Sequence, residues 1–153
     1  MRKRVLQAIC AAVIVLTVFV GCANNSTDES SKKLVDTYKQ KSNIDLEAKD
    51  VQFDMANLLD EPFVIAGVAA LSDYYNYGFT DEKMLFSVKL TPFDGKSSGA
   101  WYLYFDRNND AALFKRLKTG EAVIVTAASV PKSIYDSNQG NMAIASTPVW
   151  SDK

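Results

Sequence analysis

Histidine is absent from this chain, and cysteine occurs only at Cys10 and Cys22. Without imidazole the commonest general base and the commonest metal ligand are missing. A Ser-His-Asp or Cys-His mechanism is therefore impossible within the chain. Zinc would need thiolates and carboxylates alone, and the two cysteines are not placed for that. A phosphate-cradling loop is also lacking, because no helix begins after Gly95 and Gly99. Asp106-Arg107-Asn108-Asn109-Asp110 has some look of a calcium loop but lacks the glycine and distal glutamate of the EF-hand pattern. Asp110 reads better as a helix cap. Carboxylate pairs such as Asp81-Glu82 stand alone. The expectation is a chain with no catalytic residues, no metal and no cofactor.

A long apolar run is present only at the N-terminus. Met1-Arg2-Lys3-Arg4 is positive, and Val5 to Val20 is apolar but for Gln7 and Thr17. That run is shorter than the roughly 20 residues a spanning helix needs, and it suits a secretory leader. Phe19-Val20-Gly21-Cys22 follows. It resembles the lipobox of bacterial lipoproteins, with Phe19 where leucine is commonest, and this resemblance implies diacylglycerol on the Cys22 thiol. Residues 1–21 are then a signal peptide, and the mature chain keeps no second cysteine and no disulfide. Two or three acyl chains on one residue meet the requirement for stable anchoring at the extracytoplasmic face of a cell membrane. Removing Arg2, Lys3 and Arg4 takes three positive charges from a chain already at −1. The mature protein is acidic, which argues against a polyanionic partner.

Residues 22–33 hold no aliphatic side chain larger than Ala and read as a flexible tether. Leu34, Val35 and Tyr38 have helical spacing, with Ser31 as a cap, and Phe53, Ala56, Leu58 and Leu59 form a short helix or turn. Residues 34–60 thus make a helical preface, ended by Pro62, which disfavours helix at Glu61.

Residues 61–150 carry the domain. Phe63 to Leu71 is a strand apolar on both faces, with Gly67 marking a bulge or bend. Met84 to Thr91 alternates, with Met84, Phe86, Val88 and Leu90 inward and Leu85, Ser87, Lys89 and Thr91 outward. A hairpin loop containing Asp94-Gly95 leads to Trp101–Phe105, where Trp101, Leu103 and Phe105 share the core face and Tyr102 and Tyr104 the other. Ala111, Leu113, Phe114 and Leu117 form a helical stripe ending at Gly120. A fourth strand, Ala122 to Val130, a polar loop, Pro131 to Gly140, and a fifth strand, Asn141 to Thr147, complete the order, closed off by Pro148-Val149-Trp150. The expected fold is mainly β, a five-stranded OB-fold-like barrel with one helix between strands three and four.

Val64-Ile65-Ala66-Gly67-Val68, Phe86-Ser87-Val88-Lys89-Leu90, Tyr102-Leu103-Tyr104-Phe105, and Leu117-Lys118-Thr119-Gly120-Glu121 leading into Val123-Ile124-Val125 carry a narrower likeness. Together they resemble the "tRNA anti-like" OB-fold family of secreted and lipid-anchored bacterial proteins. The family name records a fold relation and is not evidence of tRNA binding. OB barrels bind through the face of strands two and three with the flanking loops. That face corresponds here to Tyr74, Tyr75, Tyr77, Phe79, Lys89, Tyr102 and Tyr104, with Tyr135 in the loop between strands four and five. Scaffold packing is the plainer role for Tyr102 and Tyr104, whereas four aromatics within Tyr74 to Phe79 exceed what a turn requires. Acidic and basic residues nearly balance across 61–150, and the densest basic trio, Lys115, Arg116 and Lys118, lies on the helix. Nucleic acid is thus a poor fit. The expected partners are the membrane and an envelope protein or glycan; the alternative is an oligosaccharide or single-stranded nucleic acid on the same face.

Overall fold

The computed structural model describes residues 25–75, 81–93, 99–137 and 140–152. The leader, Cys22, Tyr77, Phe79 and the Asp94-Gly95 turn lie outside the described residues.

Helix α1 spans Asn25–Ser42 and α2 spans Ala48–Phe53. Strands β1 (Phe63–Ser72), β2 (Leu85–Pro92) and β3 (Trp101–Asp106) follow, then α3 (Ala111–Leu117), β4 (Ala122–Ser129), α4 (Lys132–Asp136) and β5 (Met142–Asp152). The strands close into a barrel in the order β1-β2-β3-β5-β4, with β4 returning to β1. Every neighbouring pair is antiparallel except β3 with β5, which run parallel through Tyr102–Tyr104 and Met142–Ile144. This is an OB-fold barrel, as the strand pattern predicts.

β1 serves both neighbours, pairing with β4 from Phe63 to Ala69 and with β2 from Gly67 to Ser72. Gly67 sits where the two pairings overlap. A Cβ there would stand 2.1 Å from the Thr91 carbonyl oxygen and 2.7 Å from its carbon. The bend needs glycine because backbone approaches backbone. Residues ahead of the β2 pairing find other partners: Val64 N–H donates to Leu46 O at 2.8 Å, and Ala66 O accepts from Phe93 N–H at 3.2 Å.

The interior is filled by alternate residues, including Phe63, Ile65, Phe86, Val88, Leu90, Trp101, Leu103, Phe105 and Ile124. Phe86 stacks on Phe105 at 5.5 Å and tilts against Phe114 at 5.0 Å, so α3 plugs one end with Leu113 and Leu117. Val51, Met55, Leu58 and Leu59 pack on the same core, so the segment from α2 to Leu59 closes the other end, where Phe63 meets Trp101 at 5.2 Å. Trp101 Nε1 is buried with no acceptor among the described residues. That costs about 1–3 kcal/mol, less than the roughly 4–6 kcal/mol that burying an indole contributes.

The outer side of β1 and β4 forms a second, smaller core. Val64, Ala66, Val125 and Ala127 lie beneath Leu34, Val35, Tyr38 and Ile44. A strand apolar on both faces is thus covered on both. α1 ends where Asn43 takes φ 55, and Ile44 N–H donates back to Lys39 O at 3.4 Å, the arrangement of a Schellman stop.

Several expectations are corrected. Helix begins at Asn25, so the tether read for 22–33 is helical from there. Ser31 lies within α1, nearly buried, and is not its cap. The helix of Leu34–Tyr38 thus extends nine residues further toward the N-terminus, to Asn25. Met55 packs inward in place of Phe53, which is 79% exposed. β2 starts at Leu85, leaving Met84 in the preceding turn and 51% exposed. The loop after β4 contains a helical turn, α4. β5 continues past Pro148 to Asp152, because a register shift between Val125 and Ala127, with Thr147 at φ 52, accommodates the proline.

Candidate functional site

The face of β2 and β3 gathers the described aromatic candidates. Lys89 and Tyr102 are register partners, as are Ser87 and Tyr104. Lys89 is exposed and Tyr102 half-buried. The chain leaving β1 turns back over these strands, and Tyr74 N–H donates to Ser72 Oγ at 3.0 Å at the start of that turn. The Tyr74 ring lies 4.6 Å from that of Tyr102, and the Tyr75 ring 6.3 Å from that of Tyr104. The sequence thus brings Tyr74, Tyr75, Lys89, Tyr102 and Tyr104 together on one surface.

They do not share one environment. Tyr104, expected on an outward contact surface, is wholly buried because the returning chain covers it. Its hydroxyl donates toward Tyr74 O at 3.4 Å and approaches Met142 Sδ at 3.7 Å. Burial first, then the neighbouring Tyr74, Tyr102 and Tyr75 hydroxyls, hold the Tyr104 hydroxyl far above the ordinary tyrosine range. It therefore stays a neutral donor. Ser87 is buried beneath the same cover, with Oγ unpaired among the described residues. Expected outward, it does point away from the core, but its small side chain makes room for the covering rings.

Tyr75 is pinned. Its hydroxyl accepts from Ser87 N–H at 3.2 Å and from Arg107 Nη2 at 3.3 Å. Arg107 Nε in turn donates to Glu82 O at 2.6 Å and Leu85 O at 2.9 Å, and its guanidinium lies 4.7 Å from the Phe114 ring centre. One arginine thereby ties the covering segment, the start of β2 and α3. Sequence reasoning missed Arg107; the available signal was a lone cation directly after a strand that ends in Asp106. Tyr74, Tyr75 and Tyr102 all stay partly exposed, and the Tyr74–Tyr102 ring pair lies beside the exposed Lys89.

The loop between β4 and β5 contributes Tyr135, 39% exposed on α4, where Lys132 pairs with Asp136 at 2.8 Å. Asp110 occupies the N-cap position of α3 but makes no side-chain cap bond. Asp106 instead closes the turn ahead of α3, its Oδ1 accepting from the N–H groups of Asn108 and Asn109 at 2.8 Å each. Among the described residues no group of three or more carboxylate, thiol or imidazole side chains gathers around a metal position. Two clefts lie elsewhere among the described residues. One of about 250 Å³ lies between α1 and β1, bordered by Ser31, Val35, Val64 and Phe93. The other, about 670 Å³, lies along β5 near Asp106 and Asp110.

No family model and no curated protein matches the chain. Among solved structures it is similar to OBody AM3L15 bound to hen egg-white lysozyme, at 22% identity over 72% of this chain and 95% of that one, with a TM-score of 0.48. It is also similar to OBody AM2EP06 bound to hen egg-white lysozyme, at 24% identity over 70% and 92% of the two chains, with a TM-score of 0.44.

Proposed function

We propose that this chain is a bacterial lipoprotein, anchored by diacylglycerol on Cys22 at the extracytoplasmic face of the membrane, whose OB barrel binds an envelope protein without catalysis. The likeness to the "tRNA anti-like" family belongs to the same reading. The anchor rests on the positive start, the apolar run and Phe19-Val20-Gly21-Cys22. Non-catalytic work rests on the absence of histidine from the whole sequence.

The observation that carries the binding reading is the pinned tyrosine cover on β2 and β3. In an open OB groove, nucleotides stack on free aromatic rings along a basic track. Here Tyr75 and Tyr104 are engaged by the chain itself, and Lys89 stands beside a ready-made Tyr74–Tyr102 pair. Pre-ordered tyrosine supplies contact area at small entropy cost, which favours a protein partner.

The test is photocrosslinking in intact envelopes from a reactive residue at position 89, with Tyr102→Ala and Lys89→Glu as companions. A defined adduct that Tyr102→Ala weakens, with unchanged melting, supports the reading. An adduct with a glycan strand, or oligonucleotide binding with a steep salt dependence, would replace the partner class. For the anchor, Cys22→Ala is expected to release the protein from the membrane fraction; continued attachment excludes lipidation there.

A further inference from the structure

β5 pairs with β4 along most of its length but with β3 only through Met142–Ile144. Past Tyr104, β3 leads into the turn of Asp106 to Asp110 and then α3. A seam therefore opens between the β3–α3 junction and the second half of β5, and the cleft of about 670 Å³ occupies it. Its apolar lining includes Leu85, Ile144, Pro148 and Trp150, and its only charged lining residues are Asp106 and Asp110.

Those carboxylates have no cation beside them in the lining. Asp106 already accepts two backbone N–H groups. Asp110 is half-buried and caps nothing with its side chain. Arg107, the nearest cation in sequence, is turned onto the carbonyls of Glu82 and Leu85. Burial, and then the Asp106 charge, push the Asp110 carboxyl above its ordinary range, as expected of a desolvated acid beside a like charge. A cation at this point relieves both effects. The strand edge itself is a poor template for another strand, since Pro148 has no N–H and Thr147 has φ 52. Recognition in the seam falls to side chains.

We infer that the β3–β5 seam is a binding cleft for a lysine side chain presented by a polypeptide partner. The ammonium is received by Asp110 and Asp106, and the aliphatic stem lies on Ile144 and Pro148. Trp150, in the same lining, offers its ring to the cation. This site is separate from the tyrosine face, so its failure leaves that reading standing.

The experiment is a titration of the detergent-solubilised full chain with a trilysine peptide blocked at both ends, read from the two indole N–H resonances. Trp101 is wholly buried and serves as the internal reference. The Trp150 indole should shift saturably while Trp101 stays fixed. Asp110→Asn should weaken the titration roughly tenfold. Ala112→Lys, at an exposed position of α3 that lines the cleft, should block it by supplying an internal ammonium. The inference is overturned if the Trp150 indole does not move or moves equally with triglutamate. Insensitivity to Asp110→Asn together with Ala112→Lys overturns it as well. So does calcium chloride reproducing the shift and excluding the peptide, which would make the seam a metal site.

Discussion

Replacing Tyr38 by Phe tests how the helical preface holds the barrel. The ring is buried with Val64 and Val125, and Phe keeps those contacts. The hydroxyl lies at the irregularity between β4 and β5. It accepts from Ala127 N–H at 2.9 Å and meets Thr147 at its carbonyl (2.9 Å) and its hydroxyl (2.8 Å). Register slips between Val125 and Ala127, and Pro148 can donate nothing to the ladder, so this hydroxyl bridges the gap in its place. Removing it leaves the Ala127 N–H without its acceptor, at a cost of about 1–3 kcal/mol. Tyr38→Ala also empties the ring site and should lose about 3–5 kcal/mol. Urea unfolding should show the Phe variant with a lower midpoint and unchanged slope, and hydrogen exchange should show faster exchange at the Ala127 amide. Equal stability and equal Ala127 protection would refute the reasoning and leave α1 held by apolar contact alone.

Gly67→Ala should disrupt the β1–β2 closure, because two of the three crowded atoms belong to the Thr91 backbone, the third being Leu90 Cδ2; a loss of about 3 kcal/mol or more is expected by thermal melting. Tyr75→Phe removes an acceptor for Ser87 N–H and Arg107, and should cost about 1–2 kcal/mol, while Lys89→Glu should change stability by no more than about 0.5 kcal/mol. Stability against pH should show two opposed contributions. The hydrogen bond from Lys39 holds the Glu47 carboxyl below its ordinary range, so its stabilisation is present above that range and fades as pH falls through the lowered value. Burial and Asp106 raise Asp110, so its contribution is full below the ordinary aspartate range and is lost as pH rises through the raised value. Asp110→Asn should abolish the second slope and leave the first.

The barrel was legible because alternation along β2 and β3 reports directly which side chains fill the interior. β1 was legible for a different reason: Val64 and Ala66 face α1 while Phe63 and Ile65 face the core, so both faces are apolar. Periodicity cannot say what covers an outward residue. Tyr104 and Ser87 carry the outward phase yet are buried, because a distant segment folds onto them. Tyr38 looked like an ordinary apolar helix position, and its bonds to the β4–β5 bulge depend on Ala127 and Thr147, 89 and 109 positions away in sequence. The β5 strand was cut short at Pro148 because a proline normally ends a ladder, and only the bulge at Thr147 lets it continue. The seam cleft had no sequence signal, since its walls come from β2, β3, α3 and β5.

The most direct test of the envelope-binding account is the crosslinking pattern in living cells from position 89, on the tyrosine face, against position 115, on α3. The account predicts a single partner protein captured from 89 alone, lost in the Cys22→Ala chain that no longer reaches the membrane. Equal capture from both positions, or none from 89 while the anchored barrel remains folded, would contradict it.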